Sequence, residues 1–261
     1  MFDFLFDLPI ALVGSAIIGL LCIFALVGRL VFSRHVLPRL KHEPDESAFT
    51  GNMMQAVMIF YGLVVALIAV SVWQTYTDTA RTISEEATTI GTLYRDVSTY
   101  PEPTRSKLQR HLREYLEYII HEAWPLQHRG GIPAGGVEQV NRFQTELAAF
   151  EPTSEGQKVL HGETFRAYNH MVEARRLRLD SVLTGLPGVL WWLIAIGAIA
   201  SVTSTFFFRV GGVLHGLQTV LLAALVGLII VMILALDRPF RGDLSLRPDS
   251  YQLIYDQLIK P

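Results

Sequence analysis

The sequence predicts an all-α membrane protein, with four transmembrane helices and a helical soluble domain inserted between spans 2 and 3. Three observations predict it. Of 261 residues, 51% are hydrophobic and only 18% charged, with a mean hydropathy of +0.34, whereas a soluble domain carries about 25% charged residues. The apolar residues gather into four blocks, each near the ~20 residues a helix needs to cross a bilayer. Between the second and third blocks lies a charged stretch with helical periodicity. The composition excludes a disordered chain. The single cysteine, Cys22, excludes an intrachain disulfide and a cysteine zinc site. A net charge of −2 offers no basic field for nucleic acid.

The first span runs from Leu8 to Gly28 and stops at Arg29. Asp3 and Asp7 precede it without a base, so it is not a cleavable signal peptide. A connection with His35, Pro38, Lys41, His42 and Pro44 leads to the second span, about Met53 to Tyr76. No charge falls between Glu46 and Asp78. One charge at a helix centre costs roughly 2.5–3.5 kcal/mol, so such runs are selected. Tyr76, Ala80, Ile83, Ala87, Ile90, Tyr94 and Val97 then alternate steps of four and three. Span 2 is therefore expected to continue as one rod to about Thr99, with Pro101 and Pro103 ending it.

A second soluble helix carries Leu108, Leu112, Tyr115 or Leu116, and Ile119 on one face. His128 to Gly136 is a glycine-rich loop. A third helix shows Val137, Val140, Phe143 and Leu147. Ser154 and Gln157 have capping-box spacing for a fourth, which carries Leu160, Tyr168, Val172 and Leu179. The third span lies between Asp180 and Arg209. A tight turn at Arg209, Gly211 and Gly212 follows, and a fourth span from Val210 to Leu236 is broken only by His215. The expected domains are spans 1 and 2 in 1–77, the soluble domain in 78–180, spans 3 and 4 in 181–236, and a tail in 237–261. Arg81, Arg95, Arg175, Arg176, Arg178, Arg238, Arg241 and Arg247 outnumber Arg29, Arg34, Arg39, Lys41 and Arg209 across the membrane. That bias places the termini and the soluble domain in the cytoplasm.

No catalytic motif is present: there is no phosphate-binding glycine loop, HExxH or GxSxG. The reading is not an enzyme, with no cofactor and no metal. Glu117, His121 and Glu122 could share a face, but mixed charges on a solvated helix are commonplace. Arg175, Arg176 and Arg178 read as juxtamembrane charges, with anion or headgroup binding as the sharper option. His215 reads as an interfacial histidine or as a pH sensor. Span 2 has polar ends, at Asn52, Gln55 and Tyr61 and again at Trp73, Gln74 and Tyr76, around an apolar middle. Such a helix suits a ring of subunits whose apolar side chains gate a pore by dewetting. Gln55, Ile59 and Leu63, at steps of four, share one face that lines such a pore or packs on neighbouring helices.

After the fourth span stands Leu236-Asp237-Arg238-Pro239-Phe240-Arg241-Gly242-Asp243-Leu244. Pro239 ends the helix, Phe240 anchors at the membrane or in a core pocket, and Gly242 permits a turn that Asp243 could cap. The run Pro239-Phe240-Arg241-Gly242-Asp243 resembles the Pro-Phe-Gly-acidic segment that follows the last span of bestrophins, pentameric chloride-permeable channels with four spans. Phe60-Tyr61 and Trp73-Gln74-Thr75-Tyr76 resemble words of their pore helix. Glu85-Glu86-Ala87, Tyr94-Arg95, Glu122-Ala123-Trp124 and Leu236 to Phe240 resemble the bacterial bestrophin-like family DUF4239 over nearly the whole chain. Anchored on Trp73, the resemblance puts the pore neck at Gln55, Ile59 and Leu63. Anchored on Phe60, it puts the neck at Asn52, Ala56 and Phe60. Gln55, Asn52 and Ala56 depart from the aromatic and aliphatic neck of bestrophins. The acidic run that holds calcium in animal bestrophins is reduced to Asp243, with Asp249 later.

The resemblance implies a homo-oligomer, a pentamer, conducting small ions with anions favoured, in a bacterial inner membrane. Its partners are the lipid bilayer, itself and small ions. The rival readings are a membrane-anchored sensor and a structural adaptor whose helical domain binds a ligand or partner. A sensor needs an output domain, and 237–261 is short.

Overall fold

The computed structural model describes residues 6–39, 44–207 and 213–259, without side chains at 37, 44–50 and 259. The expectations for Asp3, Lys41 and His42, for the turn at Arg209, Gly211 and Gly212, and for the start of span four at Val210 lie outside the described residues. Helices occupy most of the rest and no strand occurs among the described residues. Four helices are long and apolar enough to cross a membrane: Ile10–Val36, Gly51–Val97, Gly188–Phe207 and Val213–Asp237. The chain divides into two compact units, one of Met1–Gln74 with Gly185–Asp237 and one of Thr75–Thr184 with Arg238–Pro261.

The first unit holds α1 (Ile10–Val31), the first part of α2 (Pro44–Val97), α7 (Gly188–Ser204) and α8 (Val213–Asp237). Apolar side chains gain nothing by leaving lipid, so close backbone approach and van der Waals contact hold these helices together. Gly14 lies under the Val231 side chain, and a Cβ at Gly227 would press on the Ile18 backbone at 3.2 Å, so α1 and α8 approach closely there. Gly28 makes room for the Phe206 ring, which sits 6.0 Å from Phe24 and 6.1 Å from Phe32. Gly197 accommodates the Tyr61 ring, whose hydroxyl donates to the Ile194 carbonyl at 3.0 Å. Along this part of α2, Met54, Val65, Ile68 and Val72 form the packed stripe.

The second unit is a helical bundle. α2 enters it unbroken and ends at Val97, as the continuous seam predicts. α3 (Thr104–Tyr118) buries Leu108, Leu112, Tyr115 and Leu116, so both residues offered at that position point inward. A π-helical turn, Ile119–Ala123, then leads into α4 (Trp124–His128). Pro125 lacks an N–H and its ring crowds the carbonyl four residues back, and the wider turn relieves that clash. α5 (Gly136–Ala148) buries Gly136, Val140, Phe143 and Leu147. Val137 falls one residue off that stripe and is exposed, contrary to the expected face. α6 (Glu155–Val182) starts with the expected capping box: Gln157 N donates to Ser154 Oγ at 3.2 Å and Ser154 N donates to Gln157 Oε1 at 3.3 Å. Its buried stripe is Thr164, Tyr168, Met171, Ala174, Arg178 and Val182. Leu160 continues that stripe toward the start of α6 and Val172 flanks it, both half-buried against the core, and Leu179 is half-buried beside Arg178. After Pro239, residues 240–259 pack on the bundle through Phe240 and through Tyr251 of α9 (Asp249–Ile254).

Candidate functional site

The pore candidates lie on the membrane part of α2. Its packed stripe, at steps of eleven, three and four, keeps to one side of the helix, which leaves a broad opposite face. That face is where Asn52, Gln55, Ala56, Ile59, Phe60 and Leu63 stand. Ile59 is 63% exposed, Phe60 70% and Leu63 57%. Both registers of the neck therefore fall on the same uncovered face, and none of their residues is packed within its own chain. Trp73 and Gln74 are also exposed, at the far end of that stretch.

A charge cluster sits inside the bundle of the second unit. Glu86 is fully buried on α2 and Arg178 is 2% exposed on α6. Arg178 Nε donates to Glu86 Oε2 at 2.6 Å and Nη2 to Oε1 at 3.2 Å, a side-on fork. Tyr115 donates its hydroxyl to Oε1 at 2.7 Å, and Tyr251 donates to Oε2 at 2.9 Å. Four donors thus fill the roughly four lone-pair sites of one carboxylate. The guanidinium also lies 5.8 Å from the Tyr251 ring centre. Burial, with the Glu86 charge added, pushes the Tyr115 and Tyr251 hydroxyls well above the ordinary tyrosine range. Burial by itself would pull Arg178 down; Glu86 overrides it and the net shift is upward. Both tyrosines therefore stay protonated donors. Arg178 is a partner inside the bundle and not one of three juxtamembrane surface charges, which corrects the reading of that cluster. Arg175 packs beside Gly136, and Arg176 is exposed.

The motif after α8 divides its work. Asp237 is buried, and its Oδ1 accepts from Leu186 N at 2.6 Å, just before α7 begins. Phe240 is buried against Trp124 with ring centres 5.5 Å apart, so it is a core residue and not a surface anchor. The Pro239 carbonyl accepts from Leu246 N at 2.8 Å and closes a loop. Gly242 turns at φ 79°, a conformation that favours glycine. Asp243 is exposed in that loop. Among the described residues no three metal-ligating side chains converge. Glu117 instead accepts the Tyr255 hydroxyl at 2.7 Å, while His121 and Glu122 face outward from the π turn.

The Bestrophin-like domain matches residues 19–251, from within α1 to Tyr251 of α9. The chain belongs to the Bestrophin-like family. Its fold is that of solved relatives at low identity. A variant of a bacterial bestrophin homologue from Klebsiella pneumoniae superposes with a TM-score of 0.70 at 11% identity, covering 96% of this chain and 97% of that one. A second variant of a Klebsiella pneumoniae homologue gives 0.68 at 12% identity, covering 94% and 96%. A structure described as a membrane protein variant gives 0.71 at 10% identity, covering 94% and 97%. No curated protein matches the sequence.

For this Bestrophin-like chain, the residues that sequence reading undervalued are Glu86 and Arg178. Their signal is spacing. Glu86 stands between Ile83 and Ile90 on the α2 seam, and Arg178 stands four residues from Ala174 and from Val182 on the α6 stripe. A charge on a buried seam requires a partner of opposite sign.

Proposed function

We propose that this Bestrophin-like protein is an oligomeric channel for small ions, with anions favoured. It is a pentamer of a bacterial inner membrane, with the first part of α2 around the axis. The observation that carries this reading is the uncovered face of α2. That face is apolar at Ile59, Phe60 and Leu63 and polar at Asn52 and Gln55. A helix facing only lipid has no use for polar groups there, because amide groups in hydrocarbon need partners. In a ring, each axis-facing side chain repeats once per subunit. Ile59 and Leu63, or Ala56 and Phe60 in the other register, then form stacked apolar collars. Such a collar excludes water and blocks ions without bearing charge. Asn52 and Gln55 wet the mouth beside it.

Liposome flux measurements test the proposal. Ile59→Ala or Leu63→Ala should raise leak of a small anion over the unaltered protein if the first register holds, and Phe60→Ala should do so if the second holds. Leu225→Ala and Leu228→Ala, at exposed positions on α8, should leave flux unchanged. Folded Ala variants in both registers with unaltered flux of every small ion would overturn the channel reading. The helical bundle would then remain as a ligand or partner domain.

A further inference from the structure

α2 is one unbroken helix over Pro44–Val97, so a face set at one end can be followed to the other. Buried Val65 and buried Ile83 stand eighteen residues apart, five full turns, and buried Val72 and Ile90 repeat that interval. The packed stripe thus holds its phase along the helix, and the uncovered face opposite it does the same. Eighteen residues on from Leu63 stands Arg81, about 27 Å further along the axis. Arg81 lies two residues from buried Thr79 and two from buried Ile83, about 200° around the helix in each direction, so it points away from the packed side. Its side chain is 81% exposed, and its ion pair among the described residues is with Asp78 Oδ1 at 3.9 Å, a surface pair of little worth. The same eighteen-residue step carries Phe60 to Asp78, an acid. Asp78 adjoins Thr79, only about 100° away, and so stands on the flank of the uncovered face.

We infer that Arg81 is the residue that selects small anions, as a cationic ring in line with the apolar collar. The inference deepens the channel reading and rests on it. A collar of Ile59 and Leu63 bears no charge, so it gates without choosing a sign. The choice of sign falls to charges in line with it. Repeated once per subunit, an exposed guanidinium raises the local concentration of anions and repels cations. The neighbouring groups on this face do not cancel it. Glu85 Oε1 lies 3.0 Å from His170 Nε2 and is engaged to the side. Thr88 and Thr92 are neutral, their hydroxyls donating to the Ser84 carbonyl at 2.8 Å and the Thr88 carbonyl at 3.2 Å. Arg95, exposed near the end of α2, adds the same sign as Arg81.

The test is the reversal potential of the full-length protein in planar bilayers under a potassium chloride gradient, for the unaltered protein and for Leu63→Ala, whose widened collar raises the current. The current should reverse on the chloride side of zero. Arg81→Gln should move the reversal toward the potassium equilibrium, and Arg81→Lys should not. Raising the salt on both sides should shrink the difference by screening. Arg81→Cys in a Cys22→Ser background gives a second route. A thiol reagent that attaches an ammonium should restore the chloride preference, and one that attaches a sulfonate should shift the reversal further toward potassium. A conducting Arg81→Gln with an unmoved reversal potential overturns the inference and leaves the channel reading standing. So does a shift with Asp78→Asn and none with Arg81→Gln, which assigns the selection to Asp78. No current from any of these proteins overturns the channel reading, and the inference with it.

Discussion

A buried carboxylate surrounded by four donors is stable only while every donor remains. Glu86 takes both oxygens' bonds from Arg178, Tyr115 and Tyr251. Breaking a buried ion pair from one side costs about 3–5 kcal/mol, because the remaining charge is stranded. Glu86→Leu should therefore lower the melting temperature in detergent far more than the double change Glu86→Leu with Arg178→Met. A melting temperature for the single variant equal to that of the double would contradict this. The same site sets an alkaline limit. The folded pKa of Tyr115 and Tyr251 is raised, so the folded state holds their protons more tightly than the unfolded chain, where tyrosine titrates near pH ~10. Their contribution is whole below that pH and is lost as pH rises through and above it. Thermal melts should show stability falling above about pH 10, and Tyr251→Phe should flatten that fall.

Each helix in the bundle owes its place to one stripe and its ends to local chemistry. The Ser154 cap satisfies otherwise orphaned N–H groups at the start of α6. Ser154→Ala should destabilise that end by about 1 kcal/mol, read as faster amide exchange at 155–158 with little change at 168–178. The segment after α8 is held by Phe240 against Trp124, by Tyr251, and by the Trp124 indole donating to the Leu246 carbonyl at 3.2 Å. Phe240→Ala removes a fully buried ring, a change worth about 3–5 kcal/mol. Limited proteolysis should then cut 241–259 faster than in the unaltered protein, while α1 and α8 resist as before. Equal cleavage rates would show that Phe240 does not hold the segment.

Across the whole chain, four helices are long and apolar enough to cross a membrane, and four crossings would return the polypeptide to the side it left. Cysteines placed at Asp7 and at Arg247, in a Cys22→Ser background, should react with an impermeant maleimide from the same side of sealed vesicles. On the arginine bias, that side is expected to be the cytoplasm. Reaction from opposite sides would remove one of the four spans.

The four spans, the unbroken α2 and the capping box of α6 were legible in the sequence because each follows a local rule. Charge is excluded from a bilayer core residue by residue, and helical periodicity needs only neighbours three and four positions away. The resemblance to the Bestrophin-like family rested on short words such as Leu236 to Phe240 and was borne out over residues 19–251. Only the tertiary structure decided where the edge of each buried stripe falls and which stripes meet. Val137 looked like core by type, yet lies one residue outside the stripe that Val140, Phe143 and Leu147 define. Phe240 could have met lipid or protein, and the ring of Trp124 decided for protein. Glu86 and Arg178, separated by 92 positions, meet because α2 and α6 pack with those seam positions opposed. Such a pairing depends on contacts between distant segments, which no local pattern encodes.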